Sequence, residues 1–251
     1  MRNPTTASIV RGHYLGHAAF VLQFGETTVL TDYGKPNAWV EWGWDSPVYG
    51  VGDLVPDVAT YSHTHHDDHF DAGRLPAAVP TVLKGDGPIE IDDLTIAPIA
   101  MHESELDTED STAYLFSFRG ARVLHLGDCQ ADIICSGDPK HGAWLRRALP
   151  RRCDLVLMPI ECQQRFFPQI NVFVRRLEPV RLVPMHFWSA ETLRTFLAHA
   201  RRQHDPSGHP YRIDEARGPQ LKFSIGKASD GVRVIPLERA PFRDWTTCSD
   251  R

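Results

Sequence analysis

The stretch "YSHTHHDDHF", residues 61–70, places four histidines and two aspartates within seven consecutive positions. Unpaired polar groups are costly to bury and like charges repel, so soluble proteins usually spread such residues over their surface. A bound cation changes this balance, because neutral imidazoles and carboxylates are the ligands that Zn²⁺ and similar metals prefer. The stretch therefore favours a metal site, with a solvated histidine-rich loop as the alternative interpretation.

The length and composition indicate one globular domain. The chain has 251 residues, of which 42% are hydrophobic and 24% charged, and α/β and sandwich domains often reach this size. We therefore expect a single domain over residues 1–251. No apolar run is long enough to cross a bilayer, and the first residues lack the apolar segment of a secretory signal. These features predict a cytoplasmic protein without a membrane span.

The charge and the cysteines exclude several classes of function. The net charge of −5 argues against a nucleic-acid binder, whose affinity would depend on Lys and Arg neutralising phosphates. The five cysteines are irregularly spaced without a CxxC pair, so neither a disulfide framework nor a cysteine zinc site is indicated. We expect a small-molecule substrate and no nucleic-acid partner, while the oligomeric state is not indicated.

Short apolar runs bounded by Gly, Pro or Asp recur along the chain and predict a layered protein of strands and helices. The predicted strands lie near residues 8–14, 18–24, 27–32, 57–62, 79–84, 94–101, 112–118, 121–127, 154–159, 181–185, 221–225 and 232–237. Helices are predicted at residues 189–203, with Ser189 as the N-cap, and near residues 141–149 and 170–178. The long, tryptophan-rich loop of residues 34–53 is either a binding element or a surface flap.

Four of the predicted strands end just before a side chain that can bind a metal. The runs "DVATYS", "LTIAPIAM", "ARVLHLG" and "RLVPM" lead into His63, His102, Asp128 and His186. In sheets whose strands run in the same direction, the carboxyl ends gather at one edge, where such folds place their sites. Each residue alone has a commoner explanation as a capping or hydrogen-bonded side chain. Their coincidence with the histidine cluster predicts a metal centre at that edge.

The spacing within residues 63–69 predicts how the ligands are shared between two metals. Side chains alternate along an extended segment, so His63 and His65 can face the same ion. The predicted ligands are His63, His65 and His102 for one metal, Asp68, His69 and His186 for the other, and Asp128 between them. The lack of cysteine ligands favours a catalytic centre with a position open to water over a structural zinc site.

These residues resemble the signature of the metallo-β-lactamase superfamily. Residues 63–69 are similar to its HxHxDH motif, and His102, Asp128 and His186 are similar to its later single ligands. The resemblance covers nearly the whole chain. It implies an α/β (α+β) fold, a four-layer αβ/βα sandwich, with a two-metal site at one edge.

The stretch "YLGHAAFVLQFGETTVLTDYG", residues 14–34, resembles the opening hairpin of one branch of that superfamily. This branch contains ascorbate phosphate lactonase and the N-acyl phosphatidylethanolamine phospholipase. The resemblance implies that Gly16, His17 and Asp32 lie near the metals. We expect Asp32 to orient ligands by hydrogen bonds. His17 either bonds a ligand or the substrate, or is an ordinary turn residue.

The chain departs from the family pattern at two places. The HxHxDH motif has one residue too many here, so His66 competes with His65, and Asp67 with Asp68, for the ligand positions. We favour His65 and Asp68, with a one-residue bulge. At residues 159–164, "PIECQQ" stands where relatives in this branch usually carry a glycine-rich turn, so we expect the pocket wall to differ there.

A pair of divalent cations supports hydrolysis, because bound metals activate water and polarise the scissile bond. We predict two divalent ions, zinc first and manganese or iron as alternatives, with Asp68 as the catalytic proton acceptor. The acidic run at residues 103–110 disfavours polyanions, so we expect a small ester, lactone or phosphodiester. The alternatives are a di-iron redox enzyme on the same fold and a non-catalytic ligand-binding scaffold.

Overall fold

The computed structural model describes residues 9–45, 47–64, 67–101, 111–129, 149–161, 165, 167–215, 218–224 and 231–245. The strands within these residues are β1 (Ile9–Gly16), β2 (Ala19–Phe24), β3 (Thr27–Thr31), β4 (Val58–Thr60), β5 (Thr81–Leu83), β6 (Ile89–Ile91), β7 (Leu94–Met101), β8 (Ser111–Phe118), β9 (Ala121–His125), β10 (Leu155–Pro159), β11 (Arg181–Met185), β12 (Arg212–Ile213), β13 (Gln220–Ser224) and β14 (Arg233–Val234). The helices are α1 (Phe167–Leu177), α2 (Ala190–Ala200) and a short 3₁₀ helix at Val40–Trp42.

The strands form two mixed sheets. The first has the order β13-β1-β2-β3-β4-β5, and the second has the order β12-β14-β11-β10-β9-β8-β7-β6. In the first sheet β3, β4 and β5 run parallel to one another. In the second sheet β9, β10, β11, β14 and β12 are parallel. The predicted α/β sandwich is therefore observed.

Alternation of side chains along the first sheet explains how it is buried on both faces. On β2, Phe20 and Leu22 point into the main core, which they share with residues of the second sheet and both α-helices. Ala19 and Val21 point the other way, into a second cluster with residues of the loop between β3 and β4 and of the C-terminal segment. Because successive side chains of a strand face opposite sides, an apolar run such as "AFVLQF" fits a strand covered on both faces.

Both described α-helices match their sequence signals. Ser189 accepts a hydrogen bond from the Thr192 N–H at 3.1 Å and so caps α2, as predicted. Helix α1 ends at Leu177, and Glu178 adopts a left-handed conformation with φ of 47° just before Pro179. The helix predicted near residues 141–149 lies almost wholly outside the described residues.

All of the predicted strands are present, although several are shorter than predicted. Sequence patterns missed β6 and β12, which are three and two residues long. Tight turns join β2 to β3 and β8 to β9 as antiparallel hairpins. The second turns through Arg119 and Gly120, both with positive φ, as a two-residue hairpin turn requires. Within the described chain, no helix has both the length and the apolarity that crossing a membrane requires.

Candidate metal centre

Parallel strands of both sheets end at the candidate site. In the first sheet β3 ends just before Asp32, and β4 ends two residues before Ser62. In the second sheet β9, β10 and β11 lead into Asp128, Glu161 and His186. The carboxyl ends of parallel strands meet at one edge of a sheet, which is why residues far apart in sequence come together here.

Three non-glycine residues at this edge have left-handed backbone conformations. The φ angles are 50° for His17, 40° for Asp32 and 50° for His186. Such conformations cost about 1–3 kcal/mol each and are found where the surrounding structure enforces them. The turns of His17 and His186 are tied together, because the His186 N–H donates to the His17 carbonyl at 2.8 Å. The Tyr14 hydroxyl donates to the same carbonyl, also at 2.8 Å.

Two glycines allow the segments of the site to approach one another. A Cβ atom on Gly34 would lie 2.0 Å from the Asp68 carbonyl oxygen, and one on Gly127 would lie 2.3 Å from the Ser62 Cβ. Neither distance is compatible with a side chain. Glycine at these positions therefore lets the loop after β3 pack against Asp68 and the loop after β9 pack against Ser62.

Asp68 is buried and is held through one of its two carboxylate oxygens. The His17 Nε2–H donates to Asp68 Oδ2 at 2.9 Å, and the Trp39 indole N–H donates to the same oxygen. Asp68 Oδ1 is buried without a hydrogen-bond partner in the described part of the chain. Burial alone would raise the pKa of Asp68, but the hydrogen bond from His17, the charge of His69 and the indole N–H hold the pKa well below its usual range. Asp68 is therefore a carboxylate at neutral pH.

Asp32 fixes the orientation of His69. Asp32 Oδ2 accepts from His69 Nδ1 at 3.0 Å, and Oδ1 accepts from the Ser62 N–H at 2.6 Å. Burial would raise the pKa of Asp32, but the charge and hydrogen bond of His69, aided by the nearby His125, bring it to about 2. An ionised carboxylate can only accept, so His69 carries a proton on Nδ1, and its Nε2 is turned towards the site.

His186 is arranged in the same way. Glu161 Oε2 contacts His186 Nδ1 at ion-pair distance, without the alignment of a hydrogen bond. A carboxylate at this nitrogen favours the tautomer with hydrogen on Nδ1. His69 Nε2 and His186 Nε2 lie 2.9 Å apart, which is a hydrogen-bond distance, so without a metal one of the two nitrogens carries a proton and donates to the other. A cation bound by both nitrogens would take the place of that proton.

The donor atoms of this cluster fit a metal centre. Three overlapping groups of side chains have possible ligand atoms within 4.8 Å of one another. The first group is His17, Asp68, His69 and His186. The second is His63, His69 and Asp128, and the third is Asp128, Glu161 and His186. His69 Nε2 lies 3.9 Å from Asp128 Oδ2, and His186 Nε2 lies 3.3 Å from Asp128 Oδ1. Histidine nitrogens oriented by carboxylates are a typical donor set for zinc, iron and manganese. His69, Asp128 and His186 each belong to two of the three groups, so the groups form one continuous cluster.

The structure brings together five of the seven predicted ligands. His63, Asp68, His69, Asp128 and His186 all belong to the cluster. The predicted ligands His65 and His102 lie outside the described residues, as does His66, the alternative to His65. Asp67, the alternative to Asp68, is exposed and pairs with Lys35. The structure therefore places Asp68, and not Asp67, among the clustered side chains.

Sequence reasoning missed Glu161 and left the role of His17 open. Glu161 belongs to "PIECQQ", the segment that departs from the family pattern. Its carboxylate lies two residues after the end of β10, and this position could have indicated a site residue. His17 contributes its Nε2–H to Asp68, and burial, with the charge of His186, lowers its pKa well below 6.5. His125 at the end of β9 is buried and bonds the Ala18 carbonyl at 2.8 Å.

Three tryptophans surround one side of the cluster. Trp188 lies 5.2 Å from the ring of His17 and 5.4 Å from that of His186, measured between ring centroids. Trp44 packs on Trp188 at 4.3 Å, and Trp39 lies 5.9 Å from Trp44. The loop that carries Trp39 and Trp44 is anchored by its backbone, since the Asp45 N–H donates to the Trp188 carbonyl at 2.9 Å. The tryptophan-rich loop thus faces the cluster of histidine and carboxylate side chains.

A family profile described as "Beta-lactamase superfamily domain" matches residues 12–186 of the chain. This match covers more than half of the sequence and includes all five of the clustered side chains that were predicted as ligands. The chain belongs to the metallo-β-lactamase superfamily. Membership of this superfamily explains the paired sheets and the site at their common edge. A search of curated proteins gave no match.

Solved structures of the metallo-β-lactamase superfamily share the fold. A proposed Zn-dependent hydrolase of the superfamily from Thermotoga maritima has a TM-score of 0.58 and 18% identity, covering 91% of this chain and 100% of its own. A proposed metal-dependent hydrolase from Parabacteroides distasonis has a TM-score of 0.56 and 15% identity, covering 90% and 93%. A metallo hydrolase from Ignicoccus hospitalis has a TM-score of 0.54 and 18% identity, covering 87% and 100%. At these identities the likeness concerns the fold of the superfamily and does not identify a branch.

Proposed function

We propose that this protein is a metal-dependent hydrolase of a small ester, lactone or phosphodiester. The observation that carries the proposal is the pair of inward-facing nitrogens, His69 Nε2 and His186 Nε2, 2.9 Å apart, each with a carboxylate at its other ring nitrogen. Imidazoles oriented by a carboxylate at the other ring nitrogen are the usual arrangement around a bound metal. Two divalent ions, zinc first, would be held by His63, Asp68, His69, Asp128 and His186, together with His65 and His102.

The buried carboxylates support the same proposal. Within the described residues, the ion-pair contacts of Asp32 and Asp68 are all with histidines. The pKa of His17 is lowered well below 6.5, so this partner of Asp68 is neutral at pH 7. Ionised carboxylates are expensive to bury, and divalent cations would neutralise them.

Bound divalent ions would supply a water of lowered pKa and would polarise the scissile bond. The chain's own contribution is to hold Asp68 beside that reaction. Its Oδ2 is held by His17 and Trp39, whereas its Oδ1 has no hydrogen bond from the described residues. We assign to the Asp68 carboxylate the role of accepting the proton of the attacking water and passing it to the leaving group.

The loop between β3 and β4 favours a substrate with an apolar part. Five large hydrophobic side chains are exposed in the described chain, and four of them, Val40, Trp44, Tyr49 and Val55, lie on this loop. Trp44 is 38% exposed and packs on Trp188, which touches the histidines of the cluster. Exposed apolar side chains concentrated beside a site are typical of a ligand-binding surface. An aryl or alkyl ester or lactone would place its apolar group here.

Turnover assays on metal-free and metal-loaded protein test the proposal. The panel contains p-nitrophenyl esters, alkyl and aryl lactones and bis-p-nitrophenyl phosphate, each assayed with zinc, manganese and ferrous iron. We expect hydrolysis of at least one class only with metal present, and a decrease in kcat of about 10²–10⁴-fold in Asp68→Asn. Asp67→Asn is the matched control, because Asp67 is exposed and forms an ion pair with Lys35. No turnover of any substrate at full metal occupancy would count against a hydrolase.

Iron analysis separates the redox alternative from the hydrolase. Histidine and carboxylate ligands also suit a pair of iron ions. Protein purified with iron and showing a reducible absorption band, but no hydrolysis, would favour the redox enzyme. Colourless, zinc-containing protein with hydrolytic turnover would exclude it.

A further inference from the structure

Trp39 lies at the junction between the tryptophan-rich loop and the metal cluster. Its indole N–H donates to Asp68 Oδ2, while its ring packs within 5.9 Å of Trp44 and 6.3 Å of Trp188. The side chain therefore belongs to both the loop and the site. Buried tryptophans usually find an acceptor for the indole N–H, but a carboxylate of a metal cluster is a specific choice of acceptor.

The bond from Trp39 determines which oxygen of Asp68 remains available. A carboxylate can turn about its terminal torsion, which has a broad energy profile, so one hydrogen bond alone does not fix it. In this protein two donors, the His17 Nε2–H and the Trp39 indole N–H, converge on Oδ2 from two different segments. Together they leave Oδ1 without a hydrogen bond from the described residues.

Hydrogen bonds hold the loop on both sides of Trp39. The Lys35 N–H donates to the Asp67 carbonyl at 2.6 Å, and Gly34 lies against the carbonyl of Asp68. At the other end of the loop, the Asp45 N–H is bound to the Trp188 carbonyl, and the Arg239 side chain donates to the Asp45 carbonyl at 2.7 Å. The loop is therefore fixed at both ends of the segment that carries Trp39.

We propose that Trp39 is a positioning residue that orients Asp68 for metal binding by donating its indole N–H to Oδ2. This proposal rests on the proposed function, because it assigns a metal to Asp68. It adds that the tryptophan-rich loop acts on the metal centre directly, through one hydrogen bond, as well as lining the approach to it. Hydrogen-bond partners of metal ligands affect metal affinity by about 10–100-fold.

Zinc affinity of the full chain tests the proposal without knowledge of the substrate. Metal-free wild type, Trp39→Phe and Trp44→Phe are each titrated with zinc in competition with a chromophoric chelator. Phenylalanine retains an aromatic ring and removes the N–H, so we expect Trp39→Phe to bind zinc about 10–100-fold more weakly than wild type. Trp44→Phe makes the same change in the ring that packs on Trp188, and we expect it to retain wild-type affinity.

A second pair of variants separates the hydrogen bond from the packing. Trp39→Gln offers an amide N–H, whereas Trp39→Leu is of similar size and offers none. Both lose the indole ring, so a purely structural role predicts equal zinc affinity for the two. We expect the glutamine variant to bind zinc more tightly than the leucine variant.

Tryptophan emission gives an independent signature of the same contact. Zinc binding should change the fluorescence of wild type and of Trp44→Phe, and the change should be reduced in Trp39→Phe, which lacks the indole beside Asp68. Wild-type zinc affinity in Trp39→Phe, or equal affinity in the glutamine and leucine variants, would overturn the role of Trp39 and leave the hydrolase intact. Absence of zinc binding by the wild type would overturn both.

Discussion

Gly34 shows how a single residue without a side chain permits the metal cluster to form. A Cβ atom at this position would lie 2.0 Å from the Asp68 carbonyl oxygen and 2.6 Å from that of Asp67. Both atoms are backbone and cannot move aside independently. Substitution must therefore shift the segment that carries Asp68.

We predict that Gly34→Ala destabilises the metal-free protein by about 1–3 kcal/mol and weakens zinc binding, because the added methyl group displaces residues 67–68. Urea unfolding and zinc titration measure the two effects. Gly87→Ala is the control, since nothing lies within 4 Å of a Cβ atom at Gly87, and its effect should be within about 0.5 kcal/mol. Equal stability and zinc affinity for the two variants would contradict the close contact.

Glu161 is expected to affect zinc affinity through its contact with His186. Its carboxylate contacts His186 Nδ1 and favours the tautomer that directs Nε2 into the site. We predict that Glu161→Gln lowers zinc affinity by about 10–100-fold with little change in the stability of the metal-free protein. Glu178→Gln, which breaks a pair with Arg151 at 2.9 Å far from the cluster, should leave zinc affinity unchanged. Loss of affinity in both variants would mean that the effect is not specific to His186.

The residues of the site differ in how far sequence could predict them. Asp68 and Asp67 are chemically identical neighbours, and only the burial of one and the exposure of the other distinguish them. That difference depends on the approach of β3 and Gly34, a contact between segments about thirty residues apart. Glu161 lies in residues 159–164, the segment that departs from the family pattern. Its role depends on contact with His186, which no local sequence pattern reveals.

At the scale of elements, the N-terminus of α2 connects the site to the core. Ser189 caps the helix three residues after His186, so the helix start and the ligand lie on one short segment. We predict that Ser189→Ala destabilises the protein by about 1 kcal/mol, because the Thr192 N–H loses its acceptor. Ser189→Asp, which retains an oxygen acceptor near the positive helix end, should restore most of the loss. Chemical unfolding curves compare the three proteins, and an alanine variant as stable as wild type would contradict the assignment of the cap.

Elements with a strong local signal were predicted correctly, and those without one were not. Strand β2 reads as a continuous apolar run, and α2 combines a cap with helical spacing, so each is determined by its own residues. Strands β6 and β12 are short and pair with β7 and β14 respectively. The pairing of the sheets and the order of their strands depend on contacts across the whole chain. The resemblance to a superfamily supplied the four-layer sandwich, and the strand order was not predicted.

At the scale of the whole molecule, burial of ionisable groups makes stability depend on pH. Burial lowers the pKa of His13, although a hydrogen bond to the Ala240 carbonyl opposes this, and burial likewise lowers that of His125. The unfolded chain therefore binds more protons than the folded protein below about 6.5, and stability falls as the pH drops through that value. The carboxylate of Asp32, with a pKa of about 2, adds a second loss as the pH falls from 3.8 towards 2.

We predict that the unfolding midpoint of the metal-free protein is constant above about pH 6.5 and decreases steadily below it. Urea unfolding between pH 8 and pH 5 measures the change. His13→Gln, whose amide can donate to the Ala240 carbonyl, should show a shallower decrease. A midpoint that does not change over this range would contradict the burial of neutral histidines.

The convergence of distant segments on one cation-binding cluster is the central claim, and metal content tests it most directly. His69 belongs to two of the three donor groups and shares each of them with residues from other strands. Elemental analysis of protein purified without chelators should find about two divalent ions per chain in the wild type, few or none in His69→Ala, and the wild-type amount in His204→Ala, which changes an exposed histidine. Wild-type protein that contains no divalent metal after loading, or a His69→Ala variant that retains it fully, would contradict the account.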